Sequence, residues 1–223
     1  MTTKEKLLAL LEDSKGTFFS GEEIARTLQV SRAAVWKAVS ALREDGYTID
    51  AATNKGYRLS PDSDILSPQG IRRFLKPEYR DLDLTVLPTA PSTNALVREK
   101  ANQGCPEGCI IIACEQTAGR GRYGRQFFSP VDSGVYLSLL LRPTAYSPQQ
   151  ATCLTAAAAA AMCQAIEEVT GQQPGIKWVN DIFLHGKKVC GILTEAAVGL
   201  ETGTLNYMVL GAGVNLYPPA EGF

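Results

Sequence analysis

Three glycines and three arginines are interleaved in the segment GRGRYGRQFFSP, residues 119–130. Gly119, Gly121 and Gly124 satisfy the G-x-G-x-x-G pattern of a dinucleotide-binding turn. Such a turn must open a helix whose N-terminus holds the pyrophosphate, whereas the sequence that follows, SGVYLSLLLR, is typical of a strand. We therefore predict that residues 118–125 form a basic loop between two strands, whose arginines bind a carboxylate or a phosphate.

Polar side chains also interrupt the apolar segment KWVNDIFLHGKKVCGILTE. Its pattern predicts a β-hairpin that turns at His185 and Gly186. Asn180 and Asp181 break the first strand, and Lys188 follows the turn. Polar breaks in core strands often mark binding sites, although exposed turn residues would give the same pattern.

Composition and charge exclude several classes of protein. Lys and Arg total 22 and Asp and Glu total 23, so any basic patch must be local. The N-terminus is amphipathic with mixed charges, unlike a signal peptide, and the most apolar run is an alanine-rich segment too short for a membrane helix. Six cysteines without a C-x-x-C pair, together with a single histidine, argue against common zinc and redox sites. We expect a cytoplasmic protein with reduced thiols and no membrane partner.

The N-terminal segment predicts a DNA-binding domain. Two short helices precede a third, SRAAVWKAVSALRED, which has an apolar stripe and a basic face, and two short strands surround the turn Asn54-Lys55-Gly56. This order is that of a winged helix-turn-helix, whose third helix enters the major groove. A small helical interaction domain with a solvated charged face is the alternative. The predicted DNA-binding residues are Ser31, Arg32, Ala33, Trp36, Lys37 and Lys55.

The remaining chain predicts a second, larger domain of the α+β class. SPDSDILSP has the composition of a linker, so we predict a DNA-binding domain over residues 1–60, a linker over 61–66 and a larger domain over 67–223. Its strands and helices predict a mixed, largely antiparallel sheet covered by helices.

Five motifs in this order, STN at residues 92–94, EQTAGRGRYGRQFFSP, KWVNDIF, GKKVCGILTE and GAGVNL, resemble the bacterial bifunctional biotin protein ligases and biotin operon repressors. The resemblance spans nearly the whole chain. It implies a catalytic domain like that of class II aminoacyl-tRNA synthetases, which activates biotin with MgATP to biotinyl-5′-adenylate. The biotin then passes to a lysine in the biotin carboxyl carrier domain of a biotin-dependent carboxylase. It also implies binding to operator DNA as a homodimer when adenylate is bound.

The resemblance also assigns roles to individual residues. Lys188 and Arg122 would be catalytic, and Asp181 is the candidate carboxylate near the Mg²⁺ of MgATP, with no separate metal site. The predicted biotin-binding residues are Ser92, Thr93, Asn94, Gln116, Gly119, Arg120, Gly121, Arg122 and Lys188. The predicted residues for ATP and adenylate are Arg122, Arg125, Asn180, Asp181, Gly191 and Asn215.

Family members continue beyond GAGVNLYPPAEGF with a further helix and a small SH3-like domain, so we expect a truncated chain. Two alternatives stay open. One is a repressor that senses biotin or its adenylate but has impaired ligase activity. The other is a lipoate or octanoate transferase, although neither the arginine-rich loop nor the DNA-binding domain is needed for that chemistry.

Overall fold

The structure is a computed structural model that describes residues 1–143, 147, 150–199 and 204–218. The chain divides into two compact units, Met1–Asp81 and Leu82–Phe223. None of the described helices is long and apolar enough to cross a membrane.

The N-terminal unit contains four helices and a hairpin. Its elements are α1 (Thr3–Asp13), α2 (Gly21–Leu28), α3 (Arg32–Glu44), β1 (Ile49–Ala52), β2 (Gly56–Leu59) and α4 (Pro68–Arg72). Each of the first three helices begins at a hydroxyl cap, because the side chains of Thr2, Ser20 and Ser31 accept a bond from a backbone N–H three residues on. The predicted winged helix-turn-helix layout is confirmed.

The compact N-terminal unit ends later than the sequence predicted. Residues 67–81, which the sequence analysis assigned to the larger domain, belong to this unit. Arg73 donates from Nη1 to the backbone oxygen of Glu12 at 2.6 Å, and the same Nη1 lies 3.7 Å from Glu12 Oε2. Linkers are predicted from local composition, and a contact between residues so far apart in the sequence does not affect that composition.

The second unit is a seven-stranded sheet with helices. Its elements are β3 (Leu84–Ala90), α5 (Thr93–Asn102), β4 (Ile110–Gln116), β5 (Gly134–Leu141), α6 (Ala151–Thr170), β6 (Gly175–Lys177), β7 (Asp181–Leu184), β8 (Lys187–Val198) and β9 (Leu205–Asn215). The strand order is β3-β4-β5-β9-β8-β7-β6, in which only β3 and β4 are parallel neighbours. The predicted α+β class with a mixed, largely antiparallel sheet is therefore confirmed.

Two apolar clusters use alternate residues of the sheet, because successive side chains of a strand point to opposite faces. Val209 packs with Val97 of α5, whereas Ala212 packs with Ala159 of α6. Gly211 and Gly213 have the same parity as Val209, so they lie on the α5 face. The absence of side chains at these two positions lets other side chains approach the backbone of β9 closely on that face.

Candidate active site

A cleft of about 460 Å³, including space open to solvent, lies on the α5 side of the sheet in the second unit. Many of the predicted site residues line it: Ser92, Thr93, Asn94, Gln116, Arg120, Gly121, Arg122, Asn180, Lys188 and Gly191. The sequence therefore predicted most of the polar and charged lining of one cleft from motifs spread over a hundred residues.

Glycines of β9 make the floor of the cleft. A Cβ on Gly211 would lie 2.0 Å from Asn94 Oδ1, and one on Gly213 would lie 2.5 Å from Cε1 of Phe127. Glycine is required at both positions because neighbouring side chains occupy the space that a Cβ needs. The sequence analysis did not name these glycines, although an alternating GAG inside a strand is a signal for close approach.

Buried hydroxyl and amide groups form one end of the cleft. Thr93 donates its backbone N–H to Gln116 Oε1 at 2.9 Å, and its Oγ1 lies 3.2 Å from the same oxygen. Ser138 Oγ lies 2.8 Å from Thr93 Oγ1 and 2.6 Å from Asn94 Oδ1. Asn94 Nδ2 donates to Glu195 Oε2 at 2.8 Å, which fixes the orientation of the amide. Ser138 and Glu195 are thus supporting residues that the sequence did not assign.

The single proton of the Ser138 hydroxyl can go to only one of its two neighbours. When it goes to Thr93 Oγ1, the Thr93 hydroxyl donates to Gln116 and Asn94 Oδ1 is left to accept from a ligand. When it goes to Asn94, the Thr93 hydroxyl can donate to Ser138 and Gln116 Oε1 retains only the bond from the Thr93 backbone N–H. Either arrangement leaves an amide oxygen able to accept, so this end of the cleft suits a ligand group that carries N–H donors.

Replacing Ser138 by alanine will destabilise the second unit. The hydroxyl is fully buried, and its loss removes the donor to Asn94 Oδ1 and one of the two partners of Thr93 Oγ1, which costs about 1–3 kcal/mol. Urea unfolding followed by tryptophan fluorescence measures this change in the free energy of unfolding. Ser147→Ala, which removes an exposed hydroxyl, is the control and will leave stability within about 0.5 kcal/mol of the parent. Equal stability of both variants would contradict the network.

The basic loop is tightly folded. Gly121 N donates to Arg125 O at 2.7 Å, Phe127 N donates to Gly119 O at 3.0 Å, and a Cβ on Gly119 would lie 2.3 Å from Phe127 O. Residues 122–124 form a short 3₁₀ turn rather than the start of an α-helix. The glycine pattern therefore lacks the helix of a dinucleotide-binding turn, as the sequence predicted.

Cations and an amide join the loop to the β7–β8 hairpin. Arg122 Nη1 donates to Asn180 Oδ1 at 2.8 Å, and Asn180 Nδ2 donates to Asp181 Oδ1 at 3.0 Å. Lys188 Nζ lies 2.8 Å from the same Asp181 oxygen. Arg120, Arg122 and Lys188 line the cleft, and none of the described lining residues is acidic. The cleft thus combines an excess of positive charge with a hydroxyl and amide network, which suits an anionic ligand.

Four predicted residues do not line the cleft. Gly119 lies close to the backbone oxygen of Phe127, and the Arg125 carbonyl accepts from Gly121 N within the loop. Asp181 pairs with Lys188, and Asn215 pairs with Gly134 at the end of β9. The lining residues that the sequence analysis missed are Phe127, Leu137, Ile192, Leu193, Gly211, Ala212 and Gly213. All of these are apolar or glycine, so their types alone carry no chemical signal.

The thiols and the histidine of the described chain do not offer a nucleophile to the cleft. Burial raises the pKa of the Cys190 thiol to about 12, and burial also raises the pKa of Cys114. His185 lies in the hairpin turn and contacts Gln172. None of these residues lines the cleft, so no thiol or imidazole of the described chain is placed to attack a ligand there.

A second cleft, in the N-terminal unit, lies between the start of α3 and the hairpin. Arg32, Ala33 and Trp36 line it, and Trp36 is 61% exposed. Ser31 caps α3 by accepting from Ala34 N. Lys37 and Lys55 are exposed outside the cleft, and Glu22 adds a negative charge to its lining. The predicted DNA-binding residues therefore lie on α3, at its cap and on the adjoining wing.

Residues 86–215 match the Biotin/lipoate A/B protein ligase family, and residues 3–58 match an HTH domain. The chain belongs to the biotin/lipoate A/B protein ligase family. Within this family it is 41% identical over its whole length to the bifunctional ligase/repressor BirA of Bacillus subtilis, and 34% identical over 96% of its length to that of Escherichia coli. It spans 67% and 64% of those two relatives.

Solved structures of the family share the fold. The biotin protein ligase of Aquifex aeolicus in complex with biotin and ATP is 29% identical, has a TM-score of 0.50, and matches 62% of this chain and 56% of its own. The Leishmania major enzyme in complex with biotinyl-5-AMP is 24% identical with a TM-score of 0.53, matching 61% of this chain and 59% of its own. The family assignment predicted from the five motifs is confirmed.

Proposed function

We propose that this chain is a biotin protein ligase that also acts as a biotin-responsive DNA-binding repressor in the cytoplasm. One observation supports the ligase activity most strongly: a single cleft places three cations beside a buried hydroxyl and amide network. Biotin has a carboxylate at one end and a ureido ring at the other. The two halves of the cleft match those two ends.

The cations bring two anions together. In the first step an oxygen of the biotin carboxylate bonds to the α-phosphorus of ATP, and the bond from that phosphorus to the bridging oxygen breaks, releasing pyrophosphate. Arg120, Arg122 and Lys188 offset the repulsion between carboxylate and phosphate and stabilise the charge that develops on the phosphate oxygens. In the second step the amine of a carrier-domain lysine attacks the acyl carbon, and AMP leaves as the amide forms.

Asp181 positions the ammonium group of Lys188 through an ion pair. Its carboxylate accepts from Lys188 and from Asn180, so the ammonium group is positioned before a ligand arrives. A phosphate that enters the cleft competes with Asp181 for the lysine. Mg²⁺ would neutralise charge on the ATP phosphates, and the Asp181 carboxylate would be its protein ligand, since Mg²⁺ binds through one or two carboxylates together with phosphates.

Pyrophosphate release tests the proposed ligase. We expect release that requires both biotin and ATP, followed by transfer of biotin to a carrier domain. Lipoate and octanoate, offered in place of biotin, should give no release, because the amide network is matched to a ureido ring. Adenylate formation without carrier biotinylation would support the sensing repressor instead, and preference for lipoate or octanoate would support the transferase.

The exposed α3 face supports the DNA-binding role. Arg32→Ala will weaken binding to operator DNA and lower the salt slope, plotted as log affinity against log salt concentration, by about 1, because one phosphate contact is lost. Electrophoretic mobility shifts at several salt concentrations measure both quantities. Lys6→Ala removes an exposed positive charge on α1 and should change neither. If the parent chain binds operator DNA as weakly at low salt as at high salt, the DNA role is excluded.

Dimerisation would link the two roles. We infer that adenylate, bound against the basic loop, favours a homodimer that occupies two half-sites of an operator, because a ligand shifts any equilibrium whose states it binds unequally. Sedimentation equilibrium with and without biotinyl-5′-adenylate measures the dimer constant. Equal constants in both conditions would reject this link.

A further inference from the structure

Two cysteines and a carboxylate converge outside the cleft, at the opposite end of α5 from its Ser92 cap. Asp83 precedes β3, Cys105 follows α5, and Cys109 precedes β4. Their ligand atoms all lie within 4.8 Å of one another, and Cys105 Sγ lies 4.0 Å from Asp83 Oδ2. Among the described residues this is the only group of three His, Cys, Asp or Glu side chains with that spacing.

The backbone holds all three residues in place. Asp83 O accepts from Ile110 N at 2.7 Å, Cys105 N donates to Lys100 O at 3.0 Å, and Cys109 O accepts from Leu140 N at 2.9 Å. The loop between the cysteines, CPEGC, turns at Gly108, which has a φ of +92°. The side chains therefore start from fixed positions, and only their rotamers remain to be set.

The ligand set and its spacing are those of a zinc-class cation. Zinc binds thiolate sulfur at about 2.3 Å and carboxylate oxygen at about 2.0–2.2 Å in tetrahedral sites. Those bond lengths put neighbouring ligand atoms roughly 3.3–3.8 Å apart, so each atom here needs to move by an ångström or less. Asp83 is exposed, which leaves the fourth position open to water.

We propose that Asp83, Cys105 and Cys109 bind a zinc-class divalent cation, with water as the fourth ligand. Binding would release the two thiol protons to solvent and form two metal–sulfur bonds and one metal–oxygen bond. The ion would tie the end of α5 to the starts of β3 and β4. The sequence analysis argued against common zinc sites for want of a C-x-x-C pair, but this site uses a C-x-x-x-C loop and the aspartate that precedes β3.

Cobalt titration of the whole chain, purified with reduced thiols, tests the site. We expect thiolate-to-cobalt charge-transfer absorption that saturates at one ion per chain, and displacement of the cobalt by zinc. Cys105→Ser and Cys109→Ser will abolish the absorption. Asp83→Asn, which changes an exposed side chain and spares the fold, will weaken binding by about tenfold or more. The control, Cys153→Ser, removes an exposed thiol of α6 and will bind as the parent does.

A second readout is thermal. Because zinc binds the folded state, a saturating concentration will raise the Tm of the parent and of Cys153→Ser, but not that of Cys105→Ser. Absence of the charge-transfer absorption in the parent, or equal absorption in Cys105→Ser, would overturn the proposal. So would a Cys105–Cys109 disulfide in protein kept under reducing conditions. None of these outcomes depends on ligase activity.

Discussion

Lys188→Ala will lower the rate of adenylate formation by about 100- to 1000-fold, the loss typical when one preorganised donor to a developing charge is removed. The ammonium group lines the cleft and is held at 2.8 Å from Asp181 before any ligand binds. Its removal leaves the phosphate charge to Arg120 and Arg122 alone. Single-turnover formation of adenylate at saturating biotin and ATP measures the chemical step directly.

Lys187→Ala is the matched control, because Lys187 is exposed, adjacent in β8 and absent from the cleft lining. It should form adenylate at the parental rate. The Lys188–Asp181 pair is partly exposed, with side-chain exposures of 40% and 24%, so its loss will change the free energy of unfolding by about 1 kcal/mol or less. Equal rates of adenylate formation in the two variants would show that Lys188 takes no part in the reaction. A large loss of stability in Lys188→Ala would show that its effect on the rate comes from a disturbed fold.

Gly211→Ala will weaken biotin binding by about tenfold or more and destabilise the second unit by about 1–3 kcal/mol. The new Cβ would lie 2.0 Å from Asn94 Oδ1 and 2.9 Å from its Cγ. Asn94 cannot turn aside freely, because Glu195 and Ser138 hold its amide. Isothermal titration calorimetry with biotin measures the affinity, and urea unfolding measures the stability.

Gly175→Ala provides the control for this substitution. Gly175 also lies in a strand of the sheet, but a Cβ there meets nothing within 4 Å. Biotin affinity and stability should both match the parent. If Gly211→Ala also bound biotin with the parental affinity, Asn94 and the floor of the cleft would not be part of the biotin site.

The sequence predicted the elements well because their signals are local. Ser20, Ser31 and Ser92 each cap the helix that follows them, and the hairpin turns at His185 and Gly186 as its pattern indicated. The absence of a helix at Gly124 followed from the strand that comes next. These features depend on residues within a few positions of one another, so a single sequence carries them.

Other features depend on contacts that local patterns do not encode. Ser138 looks like one more residue of an apolar strand, yet its hydroxyl joins Thr93 to Asn94. Phe127 lines the cleft and packs edge-on against Tyr136, with ring centroids 6.2 Å apart, but an aromatic residue after a loop has many possible roles. Residues 67–81 belong to the N-terminal unit through a bond from Arg73 to Glu12 that spans the predicted boundary. Each case pairs residues from separate elements.

Direct detection of biotinyl-5′-adenylate tests the central claim most directly. The purified chain is mixed with biotin and MgATP without a carrier domain, quenched, and assayed by mass spectrometry. The proposed site predicts adenylate that requires both substrates, persists in Lys187→Ala and falls sharply in Lys188→Ala. Absence of adenylate in the parent, or adenylate that forms equally well in Lys188→Ala, would contradict the proposal that this cleft joins the biotin carboxylate to the α-phosphate of ATP.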